Sequence, residues 1–273
     1  MDFAHRRARE VVHQRQKLGS LLHGDALRGE VRLEGGQIEP RRPGGAAVRS
    51  ATFNEYDEEV NRSLEVGAKF ESADRRVRVN GAAYHNWISG RQLAVQTSAF
   101  NPGEVDTINS PGTTRVWGLE IEASVTPIDG LTLNAGYGFA DSKRPLVRVL
   151  GALRDPGLPL TPEHQGTAAV DYVLFDRGFG KLMGHVDWNI SSGYDVGAFT
   201  PANAPKVTRN VWNAQLSLAN IPVGDSRARV TAWIKNIFDK ETLTYVIAVP
   251  GDTGFGGLYS PPRTYGVEVG FRF

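Results

Sequence analysis

The chain has 273 residues, enough for one large β domain or two ordinary ones. Its 31 basic and 30 acidic side chains nearly cancel, so it lacks the basic excess of a nucleic-acid binder, and no nucleic-acid partner is expected. A mean hydropathy of −0.31, with no run of about 18 uncharged apolar residues, excludes a transmembrane helix but not a β-barrel, where only every second residue meets lipid.

Cysteine is absent, which removes disulfides, thiol chemistry and Cys-based metal sites. The 31 glycines suit curved sheets, where backbone must bend or approach closely. At the N-terminus, MDFAHRRAREVVHQRQ is basic but lacks the apolar core of about 7–15 residues that a secretory signal carries. With no signal peptide legible, the expectation is a chain whose exported start lies upstream, or one not exported as it stands. Residues 1–50 hold ten Lys or Arg against six Asp or Glu. Residues 1–60 read as an irregular basic lead-in or loop with at most one weak strand, over 27–38. His5 to Leu22 has the composition of a short basic helix.

From residue 61 the pattern changes. Leu64, Val66, Ala68 and Phe70 alternate with Glu65, Gly67, Lys69 and Glu71, the period of a strand with one apolar face. Ala73 to Arg76 makes a turn. Val77 to Ile88 returns with drifting parity, and a bulge near Ala82–Tyr84 is expected. Trp117, Leu119, Ile121, Ala123 and Val125 then share a face opposite Glu120 and Glu122. A turn at Pro127–Gly130 leads to Leu131, Leu133, Ala135, Tyr137 and Phe139. The same reading gives strands around Ala168–Leu174, Leu182–Ile190, Trp212–Leu218, Ala228–Ile234 and Tyr265–Phe273.

About nine strands are legible, each near the ~10 residues that cross an outer membrane at a tilt. Connections at 73–76, 127–130, 176–180 and 221–227 are short, and those at 97–113, 142–163, 194–207 and 239–262 are long. Outer-membrane barrels sort their connections in this way, short turns in the periplasm and long loops outside. A β-sandwich also alternates apolar and polar residues, but its strands are shorter and its loops are not so sorted. The predicted class is all-β: an antiparallel transmembrane outer-membrane β-barrel, partial, of about nine to ten strands. Trp117, Tyr137, Phe139, Trp188, Trp212 and Tyr265 are expected near strand ends, as an aromatic girdle.

No chemistry stands out. The six histidines (His5, His13, His23, His85, His164, His185) show no metal-ligand spacing. His185 and Asp187 share a lumen face and read as part of a hydrated network rather than a catalytic set. Gly251 to Gly257 is not a phosphate loop and reads as a mobile extracellular loop. No cofactor and no enzymatic activity are expected. Were a ligand contacted by the long loops, Arg144, Arg148, Tyr194, Tyr245 and Tyr259 are the residues suited to an anionic or aromatic chelate.

At this point several segments resemble TonB-dependent outer-membrane receptors. RTYGVEVGFRF is similar to the terminal strand of outer-membrane proteins, and that similarity implies an assembly signal on Tyr265, Val267, Val269, Phe271 and Phe273, read by the barrel-assembly machinery. Asn236-Ile237-Phe238-Asp239 is similar to the run that ends the family's penultimate strand, with Ile237 in place of Leu. NSPGTTRVWGLEIE (109–122), LTPEH (160–164) and NRSLEVGAK (61–69) resemble further family segments, in the family's order over 61–273. The resemblance implies a Gram-negative outer-membrane receptor, embedded in outer-membrane lipid, for a nutrient such as a ferric siderophore. It implies contact with the TonB complex only through a plug domain, which is not legible in this chain. The alternatives are a self-contained small barrel (a pore or adhesin, with 27–38 as the closing strand) and a barrel enzyme with a catalytic rim.

Overall fold

The structure is a computed structural model that describes residues 27–37 (backbone only), 56–96, 105–200, 204–248 and 254–272. The segment proposed as a basic helix (5–22), the Gly251–Thr253 part of the last loop, and Phe273 lie outside the described residues. Among the described residues every regular element is a strand. In chain order these are β1 Leu27–Gln37, β2 Val60–Glu71, β3 Val77–Ser89, β4 Gln92–Gln96, β5 Val105–Asn109, β6 Thr113–Ile128, β7 Leu131–Lys143 and β8 Val147–Val149. There follow β9 Ala152–Arg154, β10 His164–Arg177, β11 Gly180–Tyr194, β12 Val207–Val223, β13 Ser226–Lys235, β14 Leu243–Ala248, β15 Phe255–Tyr259 and β16 Thr264–Arg272.

Ten of them form one sheet in the order β1-β2-β3-β6-β7-β10-β11-β12-β13-β16. Every neighbouring pair is antiparallel. Strands adjacent in the main sheet are thus successive along the chain, the topology of an up-and-down barrel wall. Each of the other three pairs, β4-β5, β8-β9 and β14-β15, is a small hairpin inside a long connection. The sheet is an open arc: among the described residues β1 pairs only with β2, and β16 only with β13.

The register explains the alternation. One row runs Asn80, Glu122, Gly136, Thr167, Asn189, and its neighbour runs Ala82, Glu120, Gly138, Gln165, Ser191. Rows of opposite parity carry Val66, Ile121, Leu133, Val170, Val186, Leu216 and Val230, all of them exposed. In water such a face would have to be covered. Here it is left bare from β2 to β16, and the exposure is greatest on β16, where Tyr265 is 78% and Phe271 58% exposed. An apolar face without a second layer is the pattern of a wall that lipid solvates.

The bulge expected near Ala82–Tyr84 does not occur: β3 keeps an unbroken register against both β2 and β6. The sequence pattern drifts there because the small residues Gly81 and Ala83 occupy the outward face, while Tyr84 occupies the inner one. The register shifts lie instead at Val125/Ile128, Val173/Phe175, Ser191/Tyr194 and Leu218/Ile221.

Glycines serve two local purposes. Gly130, at φ 83°, closes the two-residue turn between β6 and β7. On the inner face, Gly118 and Gly266 pair directly with Tyr84 and Trp233, and the aromatic ring lies over each glycine. A Cβ on Gly266 would meet Trp233 Cζ2 at 2.6 Å. The ring takes the volume that a side chain would fill, as in aromatic rescue of strand glycines.

Aromatics gather toward the long-loop side of the outer face. His85 stacks on Trp87 at 4.2 Å, Tyr137 donates to His164 Nδ1 or accepts from it at 2.8 Å, and Trp188 stacks on Trp212 at 5.3 Å. Trp188 and Trp212 were expected near strand ends but lie well inside β11 and β12. Barrel strands tilt, so a plane parallel to the membrane cuts successive strands at successively deeper residues. These two strands also extend beyond the apolar band.

Candidate functional site

The four long connections leave the sheet at one end and pack on each other. Leu93 and Val95 of β4 bury against Val147 and Val149 of β8, with Ile108, Ala198 and Phe199 around them. This is the buried apolar cluster among the described residues, and it lies in the loops rather than against the sheet. Arg91 ties the first loop to the second: Nη1 donates to the Pro156 carbonyl and Nη2 to the Gly157 carbonyl, both at 2.8 Å. Leu160 N donates to Asp195 O at 2.8 Å, joining the second loop to the third. Arg144 closes the second loop on itself with a two-pronged pair to Asp155 at 2.8 and 2.9 Å, and also bonds Ser142 Oγ.

Charge follows this geometry. The Arg144 hydrogen bonds, and then the nearby Arg91 charge, hold the Asp155 carboxyl below its ordinary value. Asp155 in turn raises Arg144. Burial is the main influence on Arg91 and pushes its guanidinium below the usual arginine value, with the Arg144 charge adding to the shift.

Between the loops lies a cavity of about 580 Å³, within the ~300–1,000 Å³ range of small-molecule sites. All four loops contribute to it: Arg91 and Leu93, Pro159, Phe199 and Ala204, then Tyr245, Val246 and Phe255. A lining with Leu93, Phe199, Tyr245, Val246 and Phe255, backed by the buried charge of Arg91, can hold a ligand that is flat or apolar over much of its surface.

The residues singled out from sequence divide. Tyr245 lines the loop cavity. Tyr194 lines a second cavity of about 420 Å³ on the inner wall, with Glu120, Glu122 and Arg209. Arg144 is committed to Asp155, Arg148 Nη1 bonds the Gly151 carbonyl at 2.7 Å, and Tyr259 lies exposed on β15. Arg91, which lines the cavity while its guanidinium ties the first two loops together, is not marked by any sequence pattern. Its only local signal is a lone basic residue after Gly90 and before the apolar Leu93.

Below the loops the inner wall carries a chain of polar contacts across four strands, β7, β10, β11 and β12, that ends at Asn236 just past β13. Asn134 Nδ2 donates to Asp171 at 3.4 Å, and His185 Nδ1 donates to Asp171 Oδ1 at 2.7 Å. His185 Nε2 lies 3.6 Å from Asp187. Asp187 accepts from Asn189 and Asn213, and Asn213 Oδ1 accepts from Asn236 N at 3.0 Å. Both nitrogens of His185 face carboxylates. Neither is left facing a hydroxyl, so the arrangement does not activate a nucleophile.

The Asn236–Asp239 run is a hydrogen-bonded corner. Asn236 is 6% exposed and takes a left-handed φ of 54° just past β13. Its Oδ1 accepts from Lys240 N at 2.9 Å, and its Nδ2 donates to Lys240 O at 3.0 Å and Pro261 O at 3.4 Å. Asp239 Oδ1 accepts from Arg263 N at 2.7 Å, and Ile237 N donates to Trp212 O. Phe238 turns outward and meets Trp212 edge-on at 6.2 Å. The corner therefore fixes the exit of β13 to β12 and to the approach of β16. On β16, Tyr265, Val267, Val269 and Phe271 share the outer face.

Comparison with known proteins agrees with this architecture. The family model for the TonB dependent receptor-like β-barrel matches residues 34–237. Among solved structures, the chain is similar to the ferric yersiniabactin uptake receptor of Yersinia pestis (TM-score 0.69, 19% identity, covering 91% of this chain and 35% of that one). It is similar to the ferric preacinetobactin receptor of Acinetobacter baumannii (0.61, 17%, 90% and 34%). It is also similar to a copper transporter (0.66, 15%, 90% and 37%). The chain spans about a third of the length of these proteins.

Proposed function

Because the chain belongs to the TonB-dependent receptor β-barrel family, we propose that it forms the C-terminal wall of an outer-membrane receptor that takes up a scarce nutrient such as a ferric siderophore. The observation that carries this reading is the convergence of all four long loops on one cavity at one end of a lipid-facing wall. Tyr245, Phe199 and Phe255 suit an aromatic chelate, with Arg91, held by the Pro156 and Gly157 carbonyls, adding positive charge in the cavity wall. The ferric-chelate receptors among the similar structures favour that class, and the copper transporter makes a metal ion the second candidate. In this reading the loops lie outside a Gram-negative cell and the short turns in the periplasm. The polar inner wall faces the plug domain through which the TonB complex would act.

Unpaired sheet edges are costly in lipid, and the outer edges of β1 and β16 therefore join further strands of a larger barrel. The open arc, in which β1 and β16 do not pair with each other among the described residues, counts against a self-contained pore or adhesin of ten strands. The exposed outer face of β16 acts as the signal read by the barrel-assembly machinery. The protein transports rather than catalyses.

The test uses the full-length receptor in detergent, titrated with ferric catecholate, ferric hydroxamate, ferric citrate and cupric ion while tryptophan fluorescence is followed. One ferric chelate is expected to quench saturably, and Tyr245→Ala with Phe255→Ala should weaken it at least tenfold. Quenching by cupric ion alone would replace the chelate with the metal. Affinity unchanged in the double variant would remove the cavity from the account.

A further inference from the structure

Three cations stand in one row on the apolar outer face: Arg62 of β2, Arg115 of β6 and Lys143 of β7. The register places them side by side, Arg62↔Trp87↔Arg115↔Lys143, with Trp87 of β3 completing the row. All three cations are exposed, and none has an ion pair or side-chain hydrogen bond among the described residues. The paired cations of the chain lie elsewhere, such as Arg78 with Glu71 on the inner wall or Lys206 with Asp195 in a loop. The nearest acid on the same face is Asp141, one row inward, whose carboxylate accepts from Ser142 N.

The depth of the row is set by geometry. Val77 to Trp87, Val125 to Arg115 and Leu133 to Lys143 each span ten residues along a strand. At about 3.3 Å per residue and a tilt near 40°, that is a rise of roughly 25 Å, the height of a barrel's apolar band. The row thus sits at the outer rim of the band. Arg115 is one row outward of Trp117, and Lys143 two rows outward of Phe139, residues of the aromatic side that marks an interface. A charge pointing out of a barrel at that height meets lipid headgroups, and three like charges there need an anionic partner.

We propose that this row binds the phosphate groups of an anionic glycolipid of the outer leaflet, with its acyl chains along the apolar surface below. The inference rests on the outer-membrane reading above. A lipid, rather than a free anion, is the occupant because the row caps an uncovered apolar face that a soluble anion would leave exposed.

The experiment purifies the full-length protein with bis-phosphorylated lipid A in mixed micelles and quantifies retained lipid by native mass spectrometry. Fully dephosphorylated lipid A serves as the second probe, and a heat-modifiable band reports folding. Each cation near an anionic surface contributes roughly fivefold in affinity, so Arg62→Gln/Arg115→Gln/Lys143→Gln should weaken retention on the order of a hundredfold. The single variant Lys143→Gln should weaken it about fivefold, which keeps the test open if the triple variant misfolds. Lys69→Gln, on the inner wall, should leave retention unchanged. Equal retention of both lipids by the wild type, or by the wild type and the folded variants, would overturn the proposal. Displacement of the lipid by millimolar inorganic phosphate would point to a free-anion site instead. Absence of a heat-modifiable band in the wild type would count against the barrel reading itself.

Discussion

Asn236→Ala should be the most damaging single substitution at the β13–β16 corner. The side chain makes two hydrogen bonds of good length with Lys240 and a longer one with Pro261, in a site that is 6% exposed. Two well-made bonds contribute about 1 kcal/mol each and the long one about half of that. Alanine must also hold a φ of 54°, which costs roughly 1 kcal/mol more than asparagine because its Cβ approaches the carbonyl oxygen without a local hydrogen bond in return. The total is about 3–4 kcal/mol. Asn236→Gly loses the same bonds but not the backbone tolerance, and should cost about 1 kcal/mol less. The assay is urea unfolding of the full-length protein in vesicles, read as loss of the heat-modifiable band. Asn236→Ala within about 0.5 kcal/mol of wild type would refute the bonding argument. Equal losses for alanine and glycine would refute the part assigned to φ.

Gly266→Val should displace the Trp233 ring and weaken the β13–β16 pairing by about 2 kcal/mol through overpacking. Gly270→Val, on the same face where a Cβ meets nothing within 4 Å, should be tolerated; Trp fluorescence and folding yield separate the two. The Asp155 carboxyl is lowered in the folded chain, so its contribution is present above the unfolded value of about 3.9 and lost as pH falls through the folded value. The pair is partly exposed and contributes no more than about 1 kcal/mol. Hydrogen exchange over 144–163, corrected for intrinsic rate, should therefore open progressively more as pH falls below about 4, reaching about fivefold below the folded value, and Asp155→Asn should abolish the step. Trp188→Ala should cost about 1 kcal/mol, the worth of its stack on Trp212. Loss of the Trp188 Nε1 hydrogen bond to Asn210 Oδ1 at 2.9 Å adds about 1 kcal/mol, lipid takes over the apolar contacts, and a melt of the heat-modifiable band reads the sum.

Much of the wall was legible because a strand with one lipid face writes strict alternation into the sequence. The stretch from Trp117 to Val125 and the stretch from Tyr265 to Phe271 show it directly. The sorted lengths of the connections gave the up-and-down order. The β3 register was misread because small outward residues imitate a bulge, and only pairing with β2 and β6 distinguishes the two. The loop site was mostly illegible. Arg91 reaches the cavity through contacts with Pro156 and Gly157, some 65 residues away, and no local pattern encodes such a meeting. Arg144 was a reasonable candidate by type and place, but its partner Asp155 became evident only once the β8-β9 hairpin brought the two together. The hairpins β4-β5, β8-β9 and β14-β15 were read as plain loop because each strand is at most six residues long, too short for periodicity to show.

The central claim is that this sheet spans an outer membrane with its long loops outside. This chain has no cysteine, so once any cysteine elsewhere in the full-length receptor is replaced by serine, single cysteines report sidedness without background. Arg148→Cys and Tyr259→Cys in the loops, Asp129→Cys and Asp225→Cys in the short turns, and Val170→Cys on the outer face would be placed in the full-length receptor. Intact cells would then be treated with a membrane-impermeant maleimide. The account predicts that the two loop positions label on intact cells, the two turn positions label only after the outer membrane is opened, and Val170→Cys stays unlabelled in both. Labelling of the turn positions on intact cells, or ready labelling of Val170→Cys, would contradict it.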